Sequence, residues 1–152
     1  MRLFFGGIMQ TSENGISFIK TNEGFSPKPY MDNGHPAWGY GHDQQPGETL
    51  PSTITLEDGD TILRADLAVR FEPAVTRQLA LLGVTPTQNQ FDALVDFAYN
   101  LGPADLATMM HHGWAQIPAQ IPAWCYEHQN GVAVKVPALE KRRADEVALF
   151  NQ

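Results

Sequence analysis

Residues 23–42 read EGFSPKPYMDNGHPAWGYGH, and here a helical pattern gives way to one rich in turns. A glycine directly after Glu23 ends a helix and turns the chain. Upstream, Ser12 supplies an N-cap oxygen. Ile16 and Ile19, with Phe18 and Glu23 on related faces, then carry a helical period to about Asn22. Downstream, from Phe25 to Pro51, five prolines and interspersed glycines leave no helical period. Tyr30, Trp38 and Tyr40 stand among them, and Asp32-Asn33-Gly34 reads as a tight turn. Short strands joined by turns are expected here.

Beyond this stretch the pattern becomes helical. Thr55 followed by Asp58 is a helix start. An apolar stripe follows at Leu63, Leu67, Phe71, Val75 and Leu79, with Pro73 placed to kink or restart the helix. Thr87 with Gln90 is a second start. Phe91, Leu94, Val95, Ala98 and Leu101 mark its buried face and Gly102 its end, which makes it the expected central helix. Shorter helices are expected over Leu106–His111 and Pro118–His128. A last helix begins near Pro137 and carries Leu139, Val147, Leu149 and Phe150. Helix, small sheet, then helices is an α+β order, mainly helical: a small antiparallel sheet beside a helical lobe, with a cleft between. The expectation is a single domain over residues 1–152. It divides into an N-terminal tail (1–11), a small lobe (12–55) and a helical lobe (56–152).

Composition narrows the function. A chain of 152 residues, 43% hydrophobic, can bury a core. The formal net charge of -7 argues against a nucleic-acid binder. Four of the ten Lys and Arg crowd near the C-terminus, at Lys135, Lys141, Arg142 and Arg143. The single cysteine, Cys125, excludes an intrachain disulfide and reads as a small buried side chain between Trp124 and Tyr126. The apolar start, Met1 to Met9, is shorter than a typical signal segment. No stretch reaches the ~20 apolar residues of a membrane span. The expectation is a monomer made in the cytoplasm, without a signal peptide, cofactor or metal. His111 and His112 are adjacent and lack metal-ligand spacing.

Two carboxylates, Glu23 and Asp32, could carry chemistry. Glu23 sits where a helix dipole and apolar neighbours disfavour ionisation, as a general acid requires. Asp32 falls in a polar turn that tolerates a charge. Such a pair suits glycosidic-bond hydrolysis. Spacing alone favours the plainer reading, a solvated helix end and a turn former. Arg142 and Arg143 read two ways: orienting Glu23 or binding an anion, or pairing along a helix face with Asp145 or Glu146.

The surroundings add a resemblance. Glu23-Gly24-Phe25, Pro29-Tyr30-Met31-Asp32 and Gly39-Tyr40-Gly41-His42 resemble the active-site stretch of phage lysozymes of glycoside hydrolase family 24. Thr87-x-x-Gln90-Phe91-Asp92-Ala93-Leu94 through Phe97-Ala98-Tyr99-Asn100-Leu101-Gly102 resembles the central helix of that family. Trp124 and Pro137-Ala138-Leu139-Glu140-Lys141-Arg142-Arg143-x-x-Glu146-x-x-Leu149-Phe150 resemble its C-terminal motif.

The resemblance implies a peptidoglycan hydrolase acting on the bond between N-acetylmuramic acid and N-acetylglucosamine. It implies action on the wall after release by a holin or similar export. Glu23 matches the general acid. Asp32 matches the carboxylate that supports the oxocarbenium-like transition state and helps activate water. His42 matches a histidine held in a buried ion pair, a scaffold role, with Tyr40 and Arg142 also structural near the site. Asn100 and Thr108 fall where the helical lobe faces the sugar chain. Ala37 departs from the family, which places a water-positioning threonine there, and the loop after Asp32 is one residue shorter than usual. His35 is the nearest alternative group, or a simple turn histidine. Ala138 stands where the family usually has glycine. Two other functions stay open: a lytic transglycosylase, which needs no activated water, and a lysozyme-like protein that only binds the wall.

Overall fold

The computed structural model describes residues 8–152; most of the apolar start, Met1 to Gly7, lies outside them. Helix α1 spans Glu13–Glu23, with the Ser12 hydroxyl accepting from the Gly15 N–H. Gly24, at φ 70°, ends it in a conformation that side chains disfavour. A three-stranded antiparallel sheet follows in the order β1 (Ser26–Asp32), β2 (His35–Gly39), β3 (His42–Asp43). Asn33 and Gly34 both take positive φ, 47° and 84°, which is the two-residue hairpin turn that Asn-Gly favours. The register sets Asp32 opposite His35 and Tyr30 opposite Ala37.

Helix α2 (Leu56–Asp66) starts with a reciprocal cap between Thr55 and Asp58. It runs through a π-helical turn, Leu67–Phe71, into α3 (Glu72–Leu82). Pro73 explains the turn, because it has no N–H to donate and its ring crowds the carbonyl of Val69. The wider turn also helps the apolar stripe. Steps of four residues drift roughly 40° per step around an α-helix, and the π turn absorbs part of that drift. Leu63, Leu67, Phe71, Val75 and Leu79 are all buried.

Helix α4 (Gln88–Leu101) begins with the expected Thr87–Gln90 cap. It is buried on every side from Phe91 to Ala98, and Leu101 is half-buried. Helices α1, α3, α5 (Pro103–Met110) and α7 (Pro137–Phe150) pack around it. One apolar core joins these helices to Ile117 and Ile121. By packing, α1 belongs to this helical body, since Ile16 and Ile19 enter the same core.

One expectation needs correction. The helix expected over Pro118–His128 is only the short α6 (Ile117–Gln120), continued as a tight turn to Ala123. The chain then forms a second hairpin, β4 (Tyr126–Gln129) with β5 (Val132–Lys135). The proline at Pro122 interrupts helix growth. Asn130-Gly131, at φ 51° and 79°, is again the favoured hairpin turn. The basic residues near the C-terminus are paired or buried. Lys135 pairs with Glu140, Lys141 with Asp145, and Arg142 and Arg143 are buried.

Leu94 is fully buried at the centre of α4. Leu94→Ala should destabilise the protein by roughly 2–5 kcal/mol. Urea unfolding measures this, and a loss below about 1 kcal/mol would contradict α4 as the core.

Candidate active site

Glu23 is the last residue of α1, and its side chain keeps only 18% of its surface exposed. Its Oε1 accepts from Arg142 Nη1 at 2.8 Å. Arg142 is held in turn by Asp96, through Nε at 2.9 Å and Nη2 at 2.8 Å. The other carboxyl oxygen, Oε2, lies over Gly41. A Cβ at that glycine would stand 2.7 Å from it, so only glycine fits, and its φ of 81° makes the same demand. Tyr99 donates its hydroxyl to the Tyr40 carbonyl and so fixes the backbone just before Gly41.

These contacts set the acidity of Glu23. Burial is the largest effect and pushes its carboxyl above the usual range. Arg142 opposes this through its charge and hydrogen bond, and the Asp96 and Asp32 charges add to the rise. The net result is a carboxyl that holds its proton to higher pH than an ordinary glutamate. With Oε1 engaged by Arg142, Oε2 is the oxygen left to carry that proton. Glu23, Phe25, Ser26, Tyr30 and Gly39 line an open pocket of about 340 Å³.

Asp32 ends β1 on the exposed rim of the sheet. Ala37 is fully buried on β2, so its methyl offers no surface to a ligand. His35 is exposed in the hairpin beside Asp32. Tyr40 packs tilted against Phe25, ring centres 5.2 Å apart. Asn100 has its Oδ1 taken by Arg143 at 2.7 Å. Thr108 is exposed on α5 and donates to the Ala104 carbonyl. The two arginines divide: Arg142 donates to Glu23, while Arg143 pairs with Glu146 at 2.6 Å. Among the described residues, no group of His, Cys, Asp or Glu converges as metal ligands would.

His42 sits in an ion pair with both ring nitrogens engaged. Nδ1 lies 2.6 Å from Asp66, and Nε2 lies 2.9 Å from Glu48. With a carboxylate on each side, both nitrogens must donate, so the ring is an imidazolium. Burial alone would lower its pKa, but the Asp66 and Glu48 hydrogen bonds and charges together outweigh it and raise it.

Sequence reading missed Asp96, Asp66, Glu48 and Tyr99. A signal existed for Asp96. Asp92 and Asp96 interrupt the apolar run from Phe91 to Ala98 at a spacing of one helical turn. A carboxylate in a buried helix face needs a partner.

A family profile described as phage lysozyme matches residues 20–146. An endolysin of Bacillus phage PZA is 37% identical over 155 residues, a match covering 94% of this chain and 55% of that protein. An endolysin of Acyrthosiphon pisum secondary endosymbiont phage 1 is 33% identical, covering 94% of this chain and 99% of the relative. The solved muramidase domain of SpmX from Asticaccaulis excentricus superposes with a TM-score of 0.79 at 29% identity, covering 94% of this chain and 98% of that one. The chain therefore belongs to the phage lysozyme family. Both of these phage relatives are endolysins, and the chain spans about half the length of the Bacillus phage one.

Two outcomes follow from the geometry. Gly41→Ala must push Glu23 aside and strain a positive φ. Stability should fall by about 1 kcal/mol or more, and wall-clearing activity should fall with it; unchanged urea unfolding and turbidity clearance would contradict the contact. For His42 the folded pKa is raised, so the ion pair stabilises fully below the unfolded value of about 6.5. Its contribution is lost as pH rises through the higher folded value. Urea midpoints should decline over that interval in the wild type and decline less in His42→Gln.

Proposed function

We propose that the protein is a muramidase that cleaves the β-1,4 bond between N-acetylmuramic acid and N-acetylglucosamine. The observation that carries this is Glu23: a largely buried carboxyl with a raised pKa, one oxygen fixed by Arg142 and the other left for a proton. In this reading Glu23 protonates the glycosidic oxygen as the bond breaks. Asp32, on the rim of the sheet, stabilises the positive charge developing on the sugar and helps activate water. The glycan lies in the cleft along Phe25 and Tyr30. In this reading Thr108, exposed on α5, and Asn100 border its path on the helical side.

Cutting this bond along many strands dissolves the wall and lyses the cell. Among the described residues no helix is long and apolar enough to cross a membrane. We propose that a separate lysis protein gives the enzyme access to the wall and that it acts as a monomer.

Ala37 supports a second reading. It is fully buried and has no hydroxyl with which to position water. A lytic transglycosylase needs no such water, because a sugar hydroxyl attacks within the same residue. Mass spectrometry of fragments from purified peptidoglycan separates the two. Reducing ends on N-acetylmuramic acid indicate hydrolysis, and 1,6-anhydro ends indicate transglycosylation.

Glu23→Gln keeps the shape and removes the proton. It should lower the rate on the order of 10²–10⁴-fold in a folded protein. Activity within a few fold of wild type would reject Glu23 as the acid in either reaction.

A further inference from the structure

The buried cluster behind Glu23 holds more carboxyl groups than cations. Among the described residues, Glu23, Asp96 and Glu146 pair with two cations, Arg142 and Arg143. Both Asp96 oxygens accept from Arg142. Glu146 uses Oε1 to accept from Arg143 Nη2 at 2.6 Å. Among the described residues no donor reaches its Oε2. The side chains of Asp96 and Glu146 are both completely buried, and after burial Asp96 is the neighbour that most disfavours a charge on Glu146. Two carboxyls buried together with so few cations cannot both stay ionised, so one keeps its proton. With both Asp96 oxygens already accepting from a guanidinium, that proton belongs to Glu146. Burial, followed by the Asp96 contact, likewise pushes the Glu146 carboxyl well above its usual range.

Resting on the reading of Glu23 as proton donor, we propose that Asp96 and Glu146 are positioning residues for it. Asp96 takes up the charge of Arg142, and Glu146, a neutral carboxylic acid, donates to Asp96 and holds it in place. An Arg142 facing Glu23 alone would favour the carboxylate and spoil the acid. With two of its N–H groups committed to Asp96, the guanidinium orients Glu23 through the third while its charge is largely balanced. The other groups acting on Glu23 are Asp32 and Tyr30 from β1 and Tyr99 from α4. None of these is a cation, so the balance rests on the Arg142–Asp96 pair.

The test is carbon-13 NMR of the carboxyl groups across pH, with signals assigned by their loss in Glu23→Gln, Asp96→Asn and Glu146→Gln. In the wild type, Glu146 should keep a protonated-acid signal into neutral pH while Asp96 shows a carboxylate signal. Asp96→Asn should lower the Glu23 midpoint by about one pH unit or more. The high-pH limb of activity should move down with it. Glu146→Gln, whose amide can donate to Asp96 as the acid does, should leave the Glu23 midpoint and the pH profile in place. An ionised Glu146 at neutral pH overturns the proposal, as does an unmoved Glu23 midpoint in folded Asp96→Asn. So does a midpoint displaced by Glu146→Gln. Should Asp96→Asn fail to fold, the wild-type spectrum and Glu146→Gln still decide. A midpoint that falls while the activity limb stays fixed upholds the Asp96 effect and rejects Glu23 as the proton donor.

Discussion

The fork of Arg142 between Asp96 and Glu23 is the interaction on which the site depends. It joins the C-terminal end of α1, the middle of α4 and the start of α7 through three hydrogen bonds. Taking a guanidinium and a carboxylate out of water costs several kcal/mol per ion, and only well-formed hydrogen bonds offset that cost. Arginine suits the task because its planar fork engages two carboxyls in fixed directions. A lysine would bring the same charge without the geometry. Burial of this set therefore does little for net stability, and its value lies in fixing where one carboxyl stands and how acidic it is.

Helix α4 holds α1 at both ends. At the start, Asp92 accepts from the backbone N–H and the hydroxyl of Ser12. At the end, Asp96 reaches Glu23 through Arg142. Between these anchors Ile16 and Ile19 enter the core beside α4, and Gly15 meets Asp92 so closely that a Cβ would stand 2.6 Å from its carboxyl carbon. Glu72 on α3 adds a clamp on Thr11, through the backbone N–H and the hydroxyl. The short helix carrying Glu23 is thus placed by polar contacts at its ends and apolar contacts between them. An 11-residue helix is marginal alone in water, so this packing is what makes it form.

The physics of each signal accounts for how much was legible in advance. Caps are local, and Ser12, Thr55 with Asp58, and Thr87 with Gln90 therefore revealed three helix starts from sequence alone. The Asn33-Gly34 turn is local too. Asn130-Gly131 carries the same signal, yet the aromatic and apolar residues before it invited a helix. The strands it joins are exposed throughout, so no buried alternation marks them. Ion-pair partners are not local. Asp96 lies 46 residues from Arg142, and Asp66 lies 24 from His42. Sequence can mark a buried carboxylate as needing a partner, but only the fold chooses which one. The resemblance in motif order supplied Glu23 and Asp32 as a pair. It did not supply the second layer behind Glu23, which depends on how α4 and α7 face each other.

The cleft has two walls with different electrostatic anchors. On the sheet side, His42 at β3 ties the sheet to Asp66 of α2 and to Glu48 in the loop between them. Trp38 packs edge-on to the same ring at 4.9 Å. That anchor needs an imidazolium, so its strength depends on pH. On the helical side, the anchor is a guanidinium, which keeps its charge at any pH the protein meets. Raising the pH therefore loosens the wall that carries Asp32 as His42 gives up its proton. The Glu23 carboxyl, raised by burial, releases its proton at higher pH than an ordinary glutamate. Rising pH thus acts on both walls, and both effects trace to buried groups whose partners are fixed by the fold.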